Sequence, residues 1–563
     1  MAAPRESINK LFLLKPMNTD KDTTLFERLS IYFLFMGIAF WAFGSLSFFI
    51  SKPVFKSLQY GWFFFPVLVC LLLGRFEPKT FENKLWIITE ENYKRLIIPF
   101  LFVLSSTHAL GAYLKHLSFQ THMDLAIYGN ACKNYLFSTM KGDVWLLADH
   151  FEPTLLLFSP LCQLWDPALV LLTAQALILG LGSYGVYRFC EASGFGVKLS
   201  SLISFLYLQG YVTTVPIYYD FHLITLSLGI LPWLFYSLKT EQWAFFWVMV
   251  PFYLGLKENT SLTLAFLGAS LLFSSKKYYK IHGALLFTLC VISFGLIMQI
   301  VYPYFRNGQP SMYFHKYYSH LGSNLWEICL APLINPVAFF GSFLTLRKVE
   351  YFLHLFVPFL FLPLLDLKRA IVLIPSLFIN LASNDRNITG RTSHYEAEAY
   401  PLLLLLTVLF LADRRDSKKF TRTVTVWLLF IFCFWGGRSL GWSIVRWWPS
   451  RAHTYLHKQL LAQIPESSIK VCAPQKLAAH LTRTSKLYMM DYLGSEDDWK
   501  KADRILIAYP DEWMGYFSAS EIEKGFVDSF FQGYSLSYQD PVDKTFRIWK
   551  REKGSFTPDL KPE

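Results

Sequence analysis

Long apolar runs alternate with short polar breaks from residue 29 to about residue 446, and then the alternation stops. A run of about 17–25 apolar residues is the length that carries a helix across a hydrocarbon core. Such runs occupy 29–50, 58–74, 95–114, 166–188, 198–217, 220–238 and 243–257. Others occupy 259–275, 281–304, 351–366, 370–383, 395–412 and 421–446. The pattern predicts about thirteen spans, with 370–383 short enough to be tilted or re-entrant. Residues 153–165 and 328–346 read as interfacial or half-inserted helices, because Pro153, Pro160, Pro332 and Pro336 break their runs.

Two regions depart from this rhythm. Residues 115–152 form a large polar loop early in the chain, and residues 452–563 form a polar tail. In the tail, Ser468–Ala473, Arg504–Tyr509 and Thr545–Lys550 read as short strands, and Pro474–Leu481 as a helix start. The expected organisation is an N-terminal segment 1–28, a polytopic transmembrane domain 29–450, and a small α/β domain 451–563.

Composition sharpens the class. The chain is 53% hydrophobic and only 17% charged, where soluble domains carry about 25% charge. It is an α-helical polytopic membrane protein. The first 28 residues are polar and basic without a small-residue cleavage site, so the first span reads as a retained anchor. The net charge of +12 lies in alternate short loops, among them Arg75 to Arg95, Lys276 to Lys280, Lys368 with Arg369, and Arg414 to Arg422. That is the positive-inside pattern, so the charge marks topology and not nucleic-acid binding. With the N-terminus cytoplasmic, residues 115–152, 216–220, 257–259, 305–350, 384–394 and the tail fall on the outer side of a cell membrane. The eight cysteines have no CxxC or Cys/His spacing and read as small apolar fillers.

The candidate chemistry collects on that outer face. Thr121–Leu125 and Asp149–Pro153 open and close the large loop, Tyr219–His222 and Leu256–Asn259 sit at turns, and Ser393–Tyr395 starts a late span. Ionisable groups at a membrane face are retained where water, a protein-lined cavity or chemistry needs them. Five such motifs on one face argue for a shared polar cavity. Each also has a plain structural reading. Asp124 is a favoured residue for capping the next helix, His150 and Glu152 suit an interface, and Asp220 and His222 suit each other across a turn. Lys257 and Glu258 suit mutual neutralisation, and His394 suits an interfacial hydrogen bond. His150, His222 and Glu152 make a metal site only if they meet, since their spacing is not a ligand motif. Asn259-Thr260-Ser261 and Asn387-Ile388-Thr389 match a glycosylation triplet too common to weigh. The chain lacks GxGxxG, P-loop, HExxH and GxSxG patterns, which removes the usual supports for nucleotide-driven transport, zinc proteolysis and serine hydrolysis.

Met123–Asn130, His150–Pro153, Asp220–Leu223, Lys257–Asn259 and His394–Tyr395, in this order, resemble a family of prokaryotic membrane proteins, domain of unknown function 2079. Its usual stretches are Asp-Leu-Gly-Ile-Phe-Asp-Gln, His-Phe-Ser-Pro, Asp-Phe-His-Pro, Lys-Glu-Asp and a late His-Tyr. Ile464-Pro465, Val471–Ala473 and His480–Arg483 resemble its stretch after the last span. Gly129 stands where the family has a second acid, Asn259 replaces the acid after Lys-Glu, and Leu223 replaces proline. That family is similar to the C-type-fold membrane glycosyltransferases. The resemblance implies such a fold, a polyprenyl-phosphate sugar donor, an acceptor reached from the outer face, and an essential acid in the first outer loop, here Asp124. An acid there deprotonates or orients an acceptor hydroxyl, and a cation offsets charge on the leaving phosphate. That cation is a divalent metal or Lys257, with Arg386 and Arg391 able to serve in the same way; the cofactor stays undetermined. His150, Glu152, Asp220, His222, Glu258, His394 and Tyr395 are the expected substrate-binding set, and the expected partners are a lipid-linked sugar and membrane lipids. The alternatives are a transporter or flippase of a lipid-linked glycan, with Lys257-Glu258 as its nearest feature, and a non-catalytic assembly protein, which Gly129 favours.

Overall fold

The computed structural model describes residues 90–140, 143–309, 316–390, 394–416, 424, 427, 447–464, 469–484, 486–489, 498–508, 531 and 533–552. The predicted N-terminal segment, the spans 29–50 and 58–74, and most of 421–446 lie outside these residues.

The described chain enters on α1 (Glu90–Leu117), turns into the short helix α2 (Met123–Lys133) and a two-stranded hairpin of β1 (Phe137–Ser138) and β2 (Val144–Trp145), and leaves on α3 (Pro167–Ala192). Local sequence explains both ends of α3. The Asp166 carboxylate accepts the Ala168 N–H at 2.9 Å, and Pro167 takes the first helical position, where its missing donor costs nothing. At the far end Gly194 adopts φ +88°, and the Phe195 N–H returns to the Cys190 carbonyl at 3.1 Å.

The run predicted as one span at 198–217 is two helices, α4 (Val197–Gln209) and α5 (Tyr211–Tyr219), broken at Gly210. At the break the Gly210 N–H and the Thr213 hydroxyl both donate to the Tyr207 carbonyl. Then come α6 (Ser227–Lys239), α7 (Trp243–Leu254), α8 (Thr260–Leu271) and α9 (Lys277–Leu296), the last continuing through a π turn to Phe305. Helices α10 (Leu325–Ile334) and α11 (Pro336–Phe343) meet at a 103° bend. Pro336 cannot continue α10, and the Asn335 side chain accepts from Ala338 N–H to start α11. α12 (Leu346–Phe356) stops before Leu360 and Phe361, both left-handed, so 351–366 is not a continuous helix either. α13 (Ile374–Ala382) and α14 (Ala399–Ala412) complete the described bundle.

Among the described residues, three helices are long and apolar enough to cross a membrane (Lys94–Leu117, Pro167–Ala192 and Lys277–Phe305), or four if the bent pair counts as one span. Leu223–Lys239, Trp243–Leu254, Thr260–Leu271 and Ala399–Ala412 are shorter apolar helices. The chain is thus a mostly helical membrane protein, with fewer full-length spans among the described residues than the hydropathy pattern predicts. Glycines set its tightest crossings. A Cβ on Gly182 would meet the Leu228 carbonyl of α6 at 2.3 Å, and one on Gly268 would meet the Gly283 carbonyl of α9 at 2.6 Å. In lipid, where apolar surface gains little by leaving its solvent, such close backbone packing is a main source of helix association.

After α15 (Arg451–Gln463), capped by Ser450, a five-stranded sheet follows in the order β4-β3-β5-β7-β6. Its strands are β3 (Val471–Ala473), β4 (Leu487–Met489), β5 (Arg504–Ile507), β6 (Tyr534–Gln539) and β7 (Arg547–Arg551), with α16 (Gln475–Ala479) after β3. β3 pairs in parallel with β4 and β5, and β7 antiparallel with β5 and β6. The sheet packs on α2 and its hairpin. Thr139 donates to the Leu487 carbonyl at 2.6 Å and accepts the Leu487 N–H at 2.9 Å, and a Cβ on Gly129 would lie 2.5 Å from Thr482 Cγ2. An acid at position 129 would occupy the space that Thr482 fills.

Candidate functional site

Helix α2 presents Asp124 in its first turn. Asp124 is not the cap: the N-cap is His122, whose side chain makes no capping bond. Asp220 does that work from a distant turn, accepting the His122 N–H at 3.0 and 3.3 Å through its two oxygens. Lys115 Nζ lies 3.9 Å from the same carboxylate and donates to the Tyr219 carbonyl at 2.6 Å. Burial raises the Asp220 carboxyl to about 7, with Asp124 pushing the same way and Lys115 and the backbone donors opposing. Asp220 and His222 therefore do not close a turn on each other. His222 Nε2 instead faces the Asp124 carboxylate at 3.4 Å, and Asp124 keeps a quarter of its side chain exposed.

Glu152 is buried behind this pair. It accepts the Tyr128 hydroxyl of α2 at 2.8 Å, and among the described residues its other oxygen has no hydrogen-bond partner. Burial raises it to about 7 against the pull of His150 and Lys257. Tyr128 packs edge-on against Phe221 and His222, so its hydroxyl holds Glu152 while its ring meets His222.

His150 and Glu258 form a second pair at 3.0 Å, and Glu258 also accepts the Phe151 N–H at 3.2 Å. Burial works against the Glu258 anion, but His150 and Lys257 outweigh it and hold the carboxyl down to about 2. Glu258 thus takes His150 and not its neighbour Lys257, which forms no ion pair within 4 Å among the described residues. His394 is buried and stacks on His222 with ring centroids 3.5 Å apart. Burial, then His222, Lys257 and His150, lower it well below the ordinary histidine range.

A cavity of about 190 Å³ lies alongside. His150, Lys257, Glu258, Asn259, His394 and Tyr395 line its polar side, and Phe294, Met298, Ile328 and Phe378 its apolar side. Asp124, Glu152, Asp220 and His222 stand off its wall, joined to it through the His222–His394 stack. The two layers bring all five motifs together. Arg386 is exposed and off the wall, and Arg391 lies outside the described residues. His150, His222 and Glu152 go to three different partners, and among the described residues no group of three His, Cys, Asp or Glu is placed to hold a metal.

Sequence reasoning missed three contributors. Glu398, the buried N-cap residue of α14, accepts from Asn259 at 2.7 Å and from the Tyr253 hydroxyl at 2.6 Å. Asn380 donates to the Tyr395 carbonyl, and Tyr128 holds Glu152. Glu398 had a readable signal: an acid inside an apolar run.

No curated protein matches this chain. The structure of the Archaeoglobus fulgidus oligosaccharyltransferase, tethered with an acceptor peptide containing the NVT sequon, aligns over 81% of this chain and 75% of its own at 10% identity and a TM-score of 0.36. That likeness carries no argument about function. A family profile described as "Predicted membrane protein (DUF2079)" matches residues 90–522, a stretch that takes in every described motif of the two layers. The chain belongs to that family.

Proposed function

We propose that this protein is a membrane glycosyltransferase that moves a sugar from a polyprenyl-phosphate donor to an acceptor at the outer face, with Asp124 as its catalytic base. The observation that carries this reading is the partly exposed Asp124, facing His222, whose ring stacks on His394 at the wall of a cavity that grades from Lys257 to an apolar side. In this reading an acceptor hydroxyl attacks the anomeric carbon as its proton passes to Asp124. The bond from that carbon to the phosphate oxygen breaks, and Lys257 offsets the charge the departing phosphate gains. The prenyl chain lies along Phe294, Met298 and Phe378. The reading places the N-terminus in the cytoplasm, and the loop 115–152 and the domain 451–563 outside. Asp220 and Glu152 serve as positioning residues through α2.

A second reading, a flippase of a lipid-linked glycan, draws on the bent pair α10–α11, because broken helices line substrate paths in transporters. Profiling lipid-linked sugars in cells carrying Asp124→Asn, the wild type or a deletion, at matched membrane levels, separates the two. Loss of a base costs roughly 10²–10⁴-fold in rate, so the variant is expected to accumulate the donor as the deletion does. Wild-type behaviour of the variant beside a deletion phenotype sinks the transferase reading.

A further inference from the structure

A second cavity, of about 380 Å³, opens at the opposite ends of the helices that carry the site. α6, α8 and α14 begin near His222, Glu258 and Glu398 and end at Lys239, Leu271 and Ala412. At 1.5 Å per residue the two ends of these helices lie roughly 20 Å apart. The depth of the second cavity is apolar, with Phe235, Leu267 and Leu406 on its walls. Its mouth carries Lys239, Lys276, Lys368 and Arg369 against Asp366.

The charges at that mouth do not balance. Arg369 pairs with Asp366 at 3.2 Å and with Asp413 at 2.6 Å, and Lys276 pairs with Glu241. Lys239 and Lys368 have no carboxylate within 4 Å among the described residues. The N-terminus of α9 opens beside them with no acid in its first turn and no capping side chain. Its free N–H groups and the positive end of its dipole add to the same field.

We propose that this cavity binds a phosphate-bearing amphiphile, an acidic phospholipid of the adjacent leaflet, with its headgroup between Lys239 and Lys368 and an acyl chain in the apolar depth. A free phosphate shares the headgroup chemistry but leaves that depth empty. Basic pockets between membrane helices recognise such headgroups, at about one factor of five in affinity per lysine.

The test uses the full chain in detergent, titrated with phosphatidylglycerol, phosphatidylcholine or inorganic phosphate and read by native mass spectrometry and thermal midpoint. Phosphatidylglycerol is expected to stay bound and raise the midpoint, and phosphatidylcholine to do neither. Lys239→Gln with Lys368→Gln should weaken phosphatidylglycerol roughly twentyfold. Lys239→Arg with Lys368→Arg, which keeps the charge, should retain it and guards against a folding defect. Equal binding of the two lipids, full affinity in the glutamine variant, or inorganic phosphate reproducing the whole effect each overturns the proposal.

Discussion

At one end of α6, α8 and α14 the carboxylates and histidines are buried against specific partners; at the other the charges stand nearer the surface, some in looser pairs. Glu258 holds His150 with both side chains less than a fifth exposed, whereas Lys276 and Glu241 pair with half and a third of theirs in the open. The same helices thus connect a low-dielectric cluster to a solvated one. The contrast teaches where charge is costly. Buried groups hold their geometry because losing one partner strands the other. Surface pairs gain little because water already solvates them.

The largest expected break in that contrast is Glu258→Gln. It leaves His150 without its anion and is expected to cost about 3 kcal/mol, read as a lowered thermal midpoint in detergent. Wild-type stability would mean that the pair is not buried as described.

Glu152 gives a pH test with a definite sign. Its folded value near 7 lies above its ordinary value of 4.5, so the folded state binds the proton more tightly. Stability therefore rises as pH falls from above 7 toward 4.5, by an amount on the order of 3 kcal/mol. Glu152→Gln should remove most of that slope while keeping the Tyr128 hydrogen bond. Asp220, also raised to about 7, leaves a slope of the same sign. Glu258, held near 2, acts oppositely: its contribution is present above its ordinary value and lost as pH falls toward 2. Identical slopes in wild type and Glu152→Gln would remove Glu152 from this account.

The smallest effect belongs to the other end. Lys276→Ala breaks an exposed pair with Glu241 and is expected to change stability by less than about 1 kcal/mol, with the midpoint nearly unmoved. A loss as large as that of Glu258→Gln would erase the distinction between the two ends.

Local rules wrote much of this molecule. Apolar runs of spanning length determined a helical membrane protein, because the cost of leaving backbone groups unpaired in lipid depends on composition and length. Asp166-Pro167 and Gly194 determined where α3 starts and stops, because caps act over a few residues. Val471–Ala473 and Arg504–Ile507 were legible as strands from their apolar character, while the more polar β6 was not. The five polar motifs were legible as departures from an apolar background. Their partners were not. That Asp220 caps α2 across 98 residues, that Glu258 takes His150 across 108 residues and not adjacent Lys257, that His222 stacks on His394, and that Gly129 clears space for Thr482 were decided by tertiary structure alone. Each depends on which helix faces which and how deeply the pair is buried, and spacing along the chain encodes neither.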